Sequence, residues 1–130
     1  NYRSIELPKD LIFLSATFKG KEKNSEEINN YMNELNVIKN MAQPTKIKTS
    51  GSTFKNPIDQ TDKKVWELIR LSVPTETNYG DAVISEKHAN FFVNKKNAKS
   101  VDMKSLINFV KKKVKDKTGV KLDLEIVLVE

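Results

Sequence analysis

At 130 residues with 38% hydrophobic and 31% charged residues, the chain suffices for one cored domain or parts of two and is too apolar to be disordered. The absence of cysteine excludes disulfides, thiolate metal sites and a cysteine nucleophile, and no apolar run approaches the roughly 20 residues that span a bilayer. A net charge of +6 favours polyanions as partners, but only two of the 23 basic residues are arginine (Arg3 and Arg70), and base reading leans on arginine forks, so nucleic acid is disfavoured.

The start, NYRSIELPKD, is polar rather than a signal peptide, and it lacks a methionine, as a fragment does. A cytoplasmic setting is the expectation. Leu11–Gly20, LIFLSATFKG, is apolar, β-prone and closed by glycine, and reads as a buried strand. After a short polar KEKN connection, Asn24 with Glu27 gives an N-cap signature. Ile28, Tyr31, Met32, Leu35 and Ile38 then predict a helix from about Ser25 to Asn40.

Gln43–Pro57, QPTKIKTSGSTFKNP, reads as a linker, with the domain boundary in Gln43–Thr49. Asp62 is placed to cap a second helix whose face is Val65, Leu68 and Ile69, flanked by Trp66. SVPTETNYG reads as a loop. Asp81–Asn94, DAVISEKHANFFVN, predicts strand, sharp loop and strand. Met103, Leu106, Ile107, Val110 and Val114 form the face of a third helix, with Gly119 at its C-terminal cap and the KKKVKDK lysines set against its dipole. The closing VKLDLEIVLVE alternates, with Leu122, Leu124, Ile126 and Leu128 to one side and Glu125 to the other. This order of elements predicts an α+β fold with a short antiparallel or mixed sheet and packed helices.

Three clusters carry chemistry. In TSGSTFKNP, Gly51 permits close backbone approach, Ser52 offers a hydroxyl able to pass a proton, Phe54 anchors, and Asn56 gives and accepts hydrogen bonds. Alone, the same stretch is also a capping turn before a helix. SEKHAN sets Lys87 beside His88, the single histidine, where the pair could grip a diphosphate or simply end a hairpin. Glu125 is a strand carboxylate that matters only if a cleft covers it. Metal-ligand clusters and phosphate-gripping glycine loops are absent from the sequence, so no metal is expected.

In order, SGSTFKNP (Ser50–Pro57), ISEKHANFFVN (Ile84–Asn94) and GVKLDLEI (Gly119–Ile126) resemble the C-terminal part of UDP-N-acetylenolpyruvoylglucosamine reductase, also called UDP-N-acetylmuramate dehydrogenase. The start, YRSIELP followed by IFLSATFKG, resembles the end of that family's flavin domain. The resemblance covers essentially the whole chain. Two places depart from the family's usual pattern: Lys39 stands alone before QP, and VWELI follows the serine loop. The short connection between first strand and first helix resembles the subclass without the extra tyrosine loop.

The resemblance implies NADPH-dependent, FAD-mediated reduction of UDP-N-acetylglucosamine enolpyruvate to UDP-N-acetylmuramate in peptidoglycan precursor synthesis. It implies Ser52 as proton donor, Glu125 as the carboxylate that helps stabilise the enol-like intermediate, and Asn56, Gln43 and His88 as contacts to the nucleotide-sugar. Lys55 is a weaker candidate for the diphosphate. It further implies that residues 1–43 are the tail of the FAD-binding domain and 44–130 the substrate-binding domain. The flavin contacts would then lie mostly in a preceding region, leaving this C-terminal fragment of a larger flavoenzyme inactive alone. The rival reading is a small basic module that binds RNA or another polyanion.

Overall fold

The computed structural model describes residues 5–8, 10–45 and 47–129, which divide into two units, Asn1–Val37 and Ile38–Glu130. In the first unit, Leu11–Gly20 belongs to no strand of the described sheet, and Ile12, Phe13, Leu14 and Phe18 are each at least 78% exposed. The predicted buried strand is thus not formed among the described residues. An apolar run records a preference for burial, but a strand needs a neighbouring ladder to satisfy its backbone, and none of the described strands supplies one here.

Helix α1, Ser25–Ala42, starts where the sequence predicts. The Asn24 Oδ1 accepts the Glu26 N–H at 2.8 Å, and Glu26 and Glu27 sit in the first turn against the positive end of the dipole. None of its residues is buried. The unit division at Val37 falls within this helix, and the predicted boundary at Gln43–Pro44 lies just past its end.

The second unit is built on one antiparallel sheet of β1 (Lys48–Ser52), β2 (Asn78–Tyr79), β3 (Ala82–Ile84) and β4 (Phe91–Asn94), in the order β1-β4-β3-β2. Helices α2 (Val65–Ser72) and α3 (Ser100–Thr118) pack on each other, and α3 packs on β2 and β3. Phe54, Leu68, Ile69, Phe92, Leu106 and Val110 meet in the core between them. This is the expected α+β architecture, with a sheet that is wholly antiparallel. The Val65, Leu68 and Ile69 face and the Leu106, Ile107, Val110 and Val114 face are buried as their spacing predicts. Gly119 ends α3 at φ 75°, its N–H returning to the Lys115 carbonyl, as an αL cap requires.

Four local expectations are corrected. The linker contains β1, because Thr49 and its neighbours find a partner in β4, which no local pattern discloses. The loop SVPTETNYG holds the short strand β2, turned onto β3 through Gly80. Asp62 is not the cap of α2. That helix begins at Val65, where the Glu67 Oε2 accepts the Lys64 N–H at 2.7 Å and the Asn56 Oδ1 accepts the Val65 N–H at 3.0 Å. Finally, the closing strand reduces to a single bridge between Phe54 and Leu124. Its partner segment turns away at Asn56–Pro57, where the Ile58 N–H bonds the Asn56 carbonyl, so pairing cannot propagate. Leu122 is buried, Leu124 and Ile126 are half-buried, and Leu128 is exposed.

Candidate functional site

The site is assembled around β1. Thr49 pairs with Val93 and Ser52 with Phe91, so between these pairs two residues of β1, Ser50 and Gly51, oppose one of β4, Phe92, and the strand bulges. Gly51 carries the bulge at φ 87°, a left-handed value that a side chain would strain. The Thr49 hydroxyl braces it, donating to the Phe92 carbonyl at 2.8 Å and accepting the Gly51 N–H at 3.3 Å. Val93 and Phe91 share a face of β4, and cross-strand partners share a face, so Thr49 and Ser52 lie on one side despite an odd separation. The bulge therefore sets where the Ser52 hydroxyl points.

Beyond Ser52, the strip Thr53–Lys55 is held between two neighbours. On one side, the Glu125 N–H donates to the Thr53 carbonyl and the Lys55 N–H to the Asp123 carbonyl, both at 2.9 Å. On the other, the Thr53 N–H donates to the Asn90 carbonyl at 2.8 Å. Ser52, Lys55, Asn56 and Glu125, read from the sequence as site residues, thus fall on two adjoining segments, and all four are half-buried. The Asn56 side chain also serves the fold, since its Oδ1 binds the start of α2. The Thr53 hydroxyl between Ser52 and Phe54 is fully buried and has no hydrogen-bond partner among the described residues.

His88 joins the same neighbourhood through Phe91, the cross-strand partner of Ser52. The two rings stand 4.9 Å apart, with Trp66 on the imidazole at 6.4 Å. Burial lowers the His88 pKa from its ordinary value, the hydrogen bond at its own backbone opposes that shift, and the Arg70 charge adds to it. The imidazole Nδ1 accepts the Asn90 N–H at 3.3 Å. The neighbouring Lys87 is exposed, and its Nζ donates to the Asn40 carbonyl at 2.6 Å. Gln43 follows α1, its N–H closing on the Lys39 carbonyl at 2.9 Å. The next residues, Pro44 and Thr45, line an open cleft of about 950 Å³ shared with Lys48, Val83, Val93 and Lys87, to which neither Ser52 nor Glu125 contributes.

Sequence reading missed two carboxamides. Asn90 is buried and bonds Phe54 twice, and Gln60 bonds Lys121 twice, Nε2 donating to the carbonyl at 2.9 Å and Oε1 accepting the N–H at 2.8 Å. The signal for Asn90 was present: a carboxamide directly before the apolar run FFV must satisfy itself inside the core. Among the described residues, no group of three or more potential metal ligands gathers, and no helix is long and apolar enough to cross a membrane.

The chain resembles a known crystal structure, that of UDP-N-acetylenolpyruvylglucosamine reductase from Thermus caldophilus. The match has a TM-score of 0.63 at 33% identity and covers 81% of this chain and 35% of that one. The class is thus an α+β domain of the kind found within a larger reductase. Residues 43–129 match the family model described as UDP-N-acetylenolpyruvoylglucosamine reductase, C-terminal domain. The chain belongs to the UDP-N-acetylenolpyruvoylglucosamine reductase family. Curated relatives of that name include one from Pelagibacter ubique, 65% identical over 96% of this chain, and one from Rickettsia bellii, 46% identical over the same share. The chain spans about two fifths of their length, 41% and 40%.

Proposed function

We propose that this chain supplies the substrate-binding and proton-donating part of a reductase that converts UDP-N-acetylglucosamine enolpyruvate to UDP-N-acetylmuramate in bacterial peptidoglycan precursor synthesis. The observation that carries this reading is the bond from the Glu125 N–H to the Thr53 carbonyl, which sets a carboxylate-bearing residue across from the neighbour of Ser52. The family match over residues 43–129 supports it.

The fit of a flavin to this chain is poor. Gly51 serves the bulge, Gly80 the β2–β3 turn and Gly119 the end of α3, and Gly20 ends an exposed run outside any helix or strand, so none forms a cradle for a pyrophosphate. FAD, reduced by NADPH, would supply hydride from a site formed by other parts of a longer cytoplasmic protein.

What these residues do is move and stabilise charge. Reduction of the vinyl group builds negative charge on the carbon beside the substrate carboxylate. The Ser52 Oγ–H delivers the proton that this carbon requires, and Glu125 helps stabilise the enol-like state that precedes it. A serine hydroxyl is a weak acid, so it needs neighbours that stabilise its oxygen. Asn56, Gln43 and His88 hold the nucleotide-sugar, with Lys55 toward its diphosphate, and the +6 charge suits so anionic a ligand.

In a full-length protein carrying this chain, Ser52→Ala and Glu125→Gln should each lower kcat by about 10²–10⁴-fold. Circular dichroism melts should stay near those of the unaltered protein. Normal turnover by both variants would remove the assignment.

A further inference from the structure

We infer that Asn90 is the residue that positions Ser52, acting as a substitute strand where the sheet runs out. The inference rests on the role proposed for Ser52. Ser52 is the last residue of β1 paired to β4, and Phe91 is the first of β4. Past this pair no strand of the sheet remains to receive Thr53 and Phe54, which are both buried at 1% exposure or less. Their four backbone polar groups nonetheless find partners.

Three of the four go to Asn90. Its carbonyl accepts the Thr53 N–H at 2.8 Å, its Oδ1 accepts the Phe54 N–H at 3.0 Å, and its Nδ2 donates to the Phe54 carbonyl at 2.8 Å. The fourth, the Thr53 carbonyl, takes the Glu125 N–H. A carboxamide sets an acceptor oxygen beside a donor nitrogen, the pairing that a backbone peptide presents to a strand. Asn90 is itself 3% exposed, and its own N–H is committed to the His88 Nδ1. The carboxamide therefore fixes the backbone immediately after Ser52, while the Gly51 bulge fixes the backbone immediately before it. A side chain without both functions leaves a buried N–H and a buried carbonyl of Phe54 unsatisfied, and the strip must shift to find water.

Two arms test this. In the 130-residue chain, the Asn90 Nδ2 protons should exchange slowly with solvent. Asn90→Ala and the smaller-perturbation Asn90→Ser should speed exchange at the Phe54 amide by about tenfold or more and move the Ser52 Cβ resonance. The Val110 amide in α3 should be unaffected. Rapid exchange at Asn90 Nδ2 in the unaltered chain overturns the inference without any variant, as does unchanged Phe54 exchange in a folded one. In a full-length protein, Asn90→Ala should lower kcat about tenfold with little change in substrate KM, and should cost nothing further once Ser52 is alanine. An equal loss in both backgrounds overturns the inference. If Ser52→Ala alone leaves kcat intact, the proposed function fails, while the exchange arm still decides whether Asn90 holds the strip.

Discussion

His88 packs against Phe91 and Trp66, and its burial, followed by the nearby Arg70 charge, disfavours a charged imidazole against the opposing pull of its backbone hydrogen bond. Protonation would also remove the lone pair that accepts the Asn90 N–H. Because the folded-state pKa lies below the ordinary 6.5, the unfolded chain binds the proton more readily. The stabilisation from neutral His88 is complete above pH 6.5 and is lost as pH falls through the folded-state value. Urea midpoints measured at pH 7 and pH 5 should therefore fall less in His88→Gln than in the unaltered chain; an equal fall would contradict this. At this scale the sequence disclosed residue types but not partners. Ser52 and Glu125 stood out through their motifs. The second duty of Asn56, as acceptor for the start of α2, depends on a contact nine residues away and has no local signature.

The elements differ in what their apolar stripes meet. Leu106 in α3 is fully buried, whereas Leu35 in α1 is 46% exposed and α1 buries nothing. Trp66, the single tryptophan, lies in α2 and reports on the second unit. Urea unfolding followed by its fluorescence should show Leu106→Ala costing about 3 kcal/mol. Leu35→Ala should change the same transition by less than about 0.5 kcal/mol. Similar losses would mean that α1 is packed. Helical spacing predicted α1, α2 and α3 because a stripe of apolar residues is a local pattern. Strands were less legible. The predicted strand–loop–strand over Asp81–Asn94 formed because its two runs pair with each other across a short connection. β1 was hidden in a stretch of Ser, Thr and Gly because its pairing depends on a distant strand, and the C-terminal run alternated well but met a partner only one bridge long.

At the scale of the molecule, the unit Ile38–Glu130 has a core, whereas the large apolar residues described in Asn1–Val37, those of the apolar run and of most of α1, are exposed. The proposed function gives this a measurable counterpart. The 130-residue chain purified alone should show no flavin absorbance and should not oxidise NADPH in the presence of the enolpyruvyl substrate. A yellow preparation with turnover would overturn that expectation.

The bond between Thr53 and Glu125 joins the early part of the second unit to its final residues. A protein is synthesised from its amino end, so this bond forms only after Glu125 has left the ribosome, more than seventy residues behind Thr53. A translation product stopped at Val120 would retain β1 to β4 and all of α3 yet lack the strand edge that receives the Thr53 carbonyl. Under the proposed function, Ser52 is made well before the segment that completes its surroundings, and a product ended ahead of Glu125 would lack the proposed chemistry while retaining β1 to β4 and α3.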